Sequence, residues 1–170
     1  DMGRRPWLIP RHARMLANLH DRLHQIAAPP GLPDVAGALS DPSGGGAAVL
    51  HMDLHPGNVM LSSRGPVVID WVGAVAGPAG ADVATAYLIM TTADTDLIPL
   101  WLRPAIGLLR RQFCRRFTRG VHDSPWPHIA SAARVRLSDV NTRPSEAARL
   151  LRIAERAESA ESADRAAQAG

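Results

Sequence analysis

His51-Met52-Asp53-Leu54-His55-Pro56-Gly57-Asn58, with Ile69-Asp70-Trp71 following downstream, is the most informative stretch of the sequence. Apolar segments bracket it. Residues 47–50 read as a short strand leading in, and residues 59–61 as a strand leading out. Residues 62–66 are rich in turn formers, and residues 67–69 form an apolar strand that ends on Asp70. Two such strands joined by a few turn residues predict an antiparallel hairpin. Asp53, Asn58 and Asp70 then fall in loops at strand ends, where binding and catalytic groups are usually presented.

Helices surround this centre. Upstream, Leu16, Leu19, Leu23 and Ile26 recur at steps of three and four, which predicts an amphipathic helix over 11–27 that Pro29-Pro30 ends. Residues 29–46 read as a loop. Its Gly44-Gly45-Gly46 run lacks the spacing of a nucleotide-binding glycine loop. Downstream of Gly77-Pro78 a helix is expected from near Asp82 to about residue 90. Another is expected over 97–119, kinked at Pro99 or Pro104, with Ile106, Leu109, Phe113 and Phe117 as its buried stripe. Arg111, Arg115 and Arg119 line its far side. A short helix after Pro127 and a last helix from near Pro144 complete the pattern. Residues 1–155 read as one body. Residues 156–170 lack large apolar side chains and read as a solvated helical tail.

Composition narrows the class. A chain of 170 residues with 46% hydrophobic and 21% charged residues can bury one core. No apolar run approaches the roughly 20 residues of a membrane-spanning helix, so no membrane partner is expected. Cys114 stands alone and cannot form an internal disulfide, which fits a reducing, cytoplasmic setting. All 19 basic residues are arginine, and there is no lysine. The pI near 10.3 therefore partly reflects arginine's high pKa, since the net charge is only +3. No aromatic stacking residues interleave with the arginines, so no nucleic-acid partner is expected. His20 and His24 are four apart on a helix, yet no third metal ligand accompanies them at a plausible spacing.

Phosphoryl transfer from a nucleoside triphosphate needs a defined kit. One carboxylate orients the acceptor hydroxyl, and oxygen ligands hold the divalent cation. Asp53 and Asn58 stand five apart in a loop, the interval between catalytic Asp and metal-binding Asn in kinase loops, and Asp70 closes the next strand. The stretch resembles the aminoglycoside phosphotransferase family, which includes choline-kinase-like enzymes and shares the protein-kinase fold. That family's segment is similar to His-Gly-Asp-Leu-His-Pro-Gly-Asn followed by Ile-Asp-Trp, so this chain departs only at Met52. Gly77-Pro78 and Asp82-Val83-Ala84 also resemble the family's Gly-Pro and Asp-Leu-Ala. The close match spans residues 47 to 90.

The resemblance implies an α+β fold, mainly α-helical: a protein-kinase-like C-terminal lobe in which a short β-hairpin carries the catalytic loop. It implies Asp53 as the catalytic group, Asn58 and Asp70 as Mg2+ ligands, and His55 as a contact to the transferred phosphate. His51 would brace the loop, and Asp82 would cap its helix and tie the loop backbone. The cofactor would be Mg2+, with ATP as co-substrate and a small-molecule hydroxyl as acceptor. An N-terminal β lobe with its phosphate-pairing lysine is absent from the sequence, so the expectation is a fragment of a longer kinase. The alternative is a non-catalytic kinase-like module that binds a small molecule or a partner.

Overall fold

The computed structural model describes residues 8–35, 39, 47–93, 98–139 and 142–168, with side chains to residue 160. Five α-helices and two small antiparallel ladders make up the described fold. They are α1 (Ile9–His24), β1 (Ala48–Leu50), β2 (Val59–Ser62), β3 (Gly65–Val68), β4 (Val75–Gly77), α2 (Ala79–Thr92), α3 (Arg103–Gly120), α4 (Ile129–Leu137) and α5 (Pro144–Gln168). The Gly44-Gly45-Gly46 run lies outside the described residues.

α2 is the hub. Its sequence is apolar on every side, and eleven of its fourteen residues are buried, as expected for a helix surrounded by others. It contacts α1, α3, α4 and α5. One core joins Leu16 of α1, Val83 of α2 and Phe117 of α3 with Leu54 and Val59. A second joins Leu88 of α2 with Ile129 of α4 and Leu150 and Ala154 of α5. A third, smaller cluster joins Leu39, Ala48 and Leu50 with Ala81 under the strands.

The strands pair in two separate ladders. β2 and β3 form the expected hairpin, with Val59 opposite Val68 and Ser62 opposite Gly65. β1 pairs instead with β4, placing Ala48 opposite Gly77 and Leu50 opposite Val75. Two loops, 51–58 and 69–74, therefore run side by side between the ladders. The Ile69 N–H donates to the Asn58 carbonyl at 3.0 Å and locks them together. The β4 strand carries no strong apolar pattern, and only its pairing with β1 reveals it.

Helix boundaries differ from expectation at α1 and α3, and α2 starts at Ala79, ahead of Asp82. α1 stops at His24, and Ile26 is 54% exposed rather than part of the buried stripe. The chain leaves the helix early to run beside β1, where the Ile26 carbonyl accepts from Val49 N at 3.2 Å. α3 begins at Arg103, after a 3-10 turn at Leu100–Leu102, with Pro104 in its first turn rather than at an internal kink. Proline is favoured there because its missing N–H has no intrahelical partner to lose. Arg111, Arg115 and Arg119 are exposed on α3, as the periodicity predicts.

Candidate active site

The loop between β1 and β2 is organised by buried anchors beneath it. Asp82, fully buried in the first turns of α2, accepts from the His51 N–H at 3.2 Å and from the Met52 N–H at 2.7 Å. It is the fourth residue of the helix and makes no cap; Pro78 holds the cap position. Its other neighbour is His24 of α1, whose Nε2 stands 3.1 Å from Oδ2. The second nitrogen of that ring faces Asp123 Oδ2 at 3.4 Å. Burial alone would raise the Asp82 pKa. The hydrogen bond from His24, the charges of His20 and His24, and the His51 N–H outweigh it and hold the carboxyl below its ordinary value. The anionic form is therefore the one that grips the loop.

His51 is also fully buried and staples the two loops together. Its Nε2–H donates to the Ile69 carbonyl at 3.0 Å, and its Nδ1 accepts the Asp53 N–H at 3.3 Å. That pattern assigns the proton to Nε2. Trp71 packs against the ring, with centroids 4.7 Å apart.

Above these anchors Asp53 and Asn58 meet directly. The Asn58 amide donates to the Asp53 carboxylate at 2.8 Å and to the Asp53 carbonyl at 2.9 Å. The amide hydrogens thus face Asp53, and Asn58 Oδ1 is turned to the other side. Asp70 leads out of β3 in the left-handed region, at φ 65°, with its side chain exposed. A carboxylate and an amide oxygen are hard donors of the kind Mg2+ takes while keeping several waters.

His55 folds back over Gly57. The Gly57 N–H donates to His55 Nδ1 at 3.1 Å, and His55 Nε2 points at Asp53 Oδ2 from 3.7 Å. A Cβ on residue 57 would stand 2.6 Å from His55 Cε1, so only glycine lets the ring lie there. Burial lowers the His55 pKa below the usual imidazole value, although Asp53 pulls the other way. At neutral pH the ring is a neutral Nε2–H donor beside the carboxylate.

A cavity of about 450 Å³ opens beside this group. Met52, Asp53, Asp70, Val72 and Gly73 form its loop side. Across it stand Thr85 of α2 with Ala132, Val135 and Arg136 of α4. Arg136 is held by Glu146 of α5 at 2.8 Å, so that wall is braced from behind. The α4 contribution was not legible in the sequence, since nothing in its short pattern marks it as facing the loops. The Arg111, Arg115 and Arg119 row of α3 takes no part in lining this cavity. His20 and His24 turn to different partners, His20 Nδ1 donating to the Leu16 carbonyl at 3.0 Å.

The family model described as the phosphotransferase enzyme family, APH, matches residues 4–120. The matched region contains both loops and α1 through α3. No curated protein and no solved structure matches the chain significantly.

Proposed function

This chain belongs to the phosphotransferase enzyme family, and from that premise we propose that it carries the acceptor- and metal-handling part of an ATP- and Mg2+-dependent small-molecule kinase with a protein-kinase-like lobe. The observation that carries the proposal is the direct pairing of Asp53 with Asn58 at 2.8 Å, on a loop whose backbone Asp82 grips from below.

The geometry supports a division of labour. Asp53 lines the cavity, and its carboxylate would accept the proton of an acceptor hydroxyl held there. The Asn58 amide fixes the rotamer of that carboxylate, so an oxygen lone pair stays aimed at the acceptor. Asn58 Oδ1 and the Asp70 carboxylate would hold Mg2+, whose chemistry when bound is to offset phosphate charge. His55, neutral with its proton on Nε2, would donate a hydrogen bond toward the transferred phosphate. His51 and Asp82 position the loop and touch no reactant. Val72, Val135 and Ala132 give the cavity apolar walls that exclude water from one side of the acceptor.

The test is phosphate transfer by the full-length protein from Mg2+-ATP to a panel of hydroxylated small molecules. Asp53→Asn is expected to lower kcat by about 100-fold or more, the usual contribution of a positioned base. Asp70→Asn is expected to weaken Mg2+ binding measured by calorimetry in the presence of ATP. Wild-type turnover in Asp53→Asn would overturn the role given to Asp53, and no transfer by the wild-type protein to any acceptor would favour a non-catalytic binding module.

A further inference from the structure

Met52 is in a conformation that methionine disfavours. Its φ is 63°, in the left-handed region, where a Cβ crowds the following carbonyl. Among the described residues Asp70 is the only other non-glycine residue with positive φ. Aspartate tolerates that region through its short polar side chain, whereas methionine has no such compensation. Two contacts impose the conformation. The Met52 N–H donates to Asp82 Oδ1 at 2.7 Å, and the neighbouring His51 N–H donates to Oδ2 of the same carboxylate. Glycine would satisfy both without strain.

The side chain occupies a particular place. It lines the cavity next to Asp53 and packs in the small cluster that includes Val135 across the way. The floor beside it is bare. Gly73 has no side chain, and a Cβ there would sit only 3.9 Å from Met52 Cβ. The unbranched, flexible thioether of Met52 is thus the largest apolar group on the loop side of the cavity.

We propose that Met52 is a specificity-determining residue, an apolar wall that limits the size of the hydroxyl acceptor admitted beside Asp53. The acceptor class is a compact hydroxylated molecule with an apolar flank that rests on the thioether. This inference rests on the phosphotransferase reading of the same site.

Two variants separate wall from strain. Met52→Ala removes the wall and keeps the strained Cβ. Met52→Gly removes both. The full-length protein and each variant are assayed with Mg2+-ATP and a size series of a small amino alcohol, an amino monosaccharide and a three-ring aminoglycoside. Calorimetric binding of the same series without nucleotide gives a second readout. Both variants are expected to raise kcat/KM for the largest member relative to the smallest by about tenfold or more, mainly through KM. An unchanged ratio in both overturns the inference. So does a uniform change across the series in Met52→Gly alone, which would make Met52 a matter of backbone strain. A shifted ratio combined with full turnover in Asp53→Asn overturns the catalytic reading and leaves the wall. A wild-type protein that neither binds nor phosphorylates any member overturns both.

Discussion

Gly57 shows how much one missing side chain can decide. The His55 ring occupies the space a Cβ on residue 57 would need, at 2.6 Å from Cε1. In Gly57→Ala the movable partner is the His55 ring, because the backbone is held by the Asn58 N–H to His55 carbonyl bond at 2.9 Å. The ring should swing away from Asp53 and lose its place over the loop. Gly57→Ala is therefore expected to lower turnover about as much as His55→Ala. The informative measurement is the double variant. With His55 already truncated, Gly57→Ala should cost nothing further, whereas additive losses would mean that Gly57 acts on the backbone instead.

At the scale of elements, two glycines in helices face opposite surroundings. Gly80 lies in the first turn of α2, and a Cβ there would meet the Ser124 carbonyl oxygen at 2.5 Å and His128 Cδ2 at 2.6 Å. The contact is with backbone, so Gly80→Ala must push α2 away from the segment leading into α4. A loss of about 1–3 kcal/mol is expected from such overpacking. Gly107 lies inside α3 with open space where its Cβ would be. There Gly107→Ala should stabilise by about 0.5–1 kcal/mol through helix propensity alone. Chemical denaturation of the two variants checks both signs. The far end of α2 depends on arginine. Arg149 donates to the Thr92 carbonyl at 2.7 Å and Arg110 to the Ala93 carbonyl at 2.9 Å. Cations at that end satisfy unpaired carbonyls and complement the helix dipole.

At the scale of the whole molecule, buried imidazoles set the response to pH. Burial is the largest cause that holds His12, His20 and His55 below the ordinary value of 6.5. The unfolded chain takes up protons near that pH, and the folded chain resists them. Stability is therefore full above about pH 6.5 and declines as pH falls, by up to about 1.4 kcal/mol per pH unit for each group. Asp82, held below the ordinary carboxyl value of 3.8, adds loss of the same sign at still lower pH. Denaturant midpoints should hold level between roughly pH 7.5 and 6.5 and fall from there to about pH 5.5. A flat profile would contradict the burial of neutral imidazoles. The lone thiol adds nothing to this window, since burial pushes the Cys114 pKa up to about 11.

The local pieces are legible along the chain. The 3.6-residue recurrence of Leu16, Leu19 and Leu23 marks α1, and the spacing of Phe113 and Phe117 marks α3, because helix periodicity is a property of neighbours along the chain. The β2–β3 hairpin was legible for the same reason, since its strands are joined by a short turn. The motif order singles out Asp53, Asn58 and Asp70. What surrounds them depends on contacts between distant parts of the chain. β4 exists because β1 lies beside it, and α4 reaches the cavity because α2 and α5 hold it there. His24 finds Asp82 across 58 positions of sequence, and Met52 adopts φ 63° because the Asp82 carboxylate fixes its N–H. Such features are imposed by long-range contacts on residues whose own preferences point elsewhere, so no local pattern announces them.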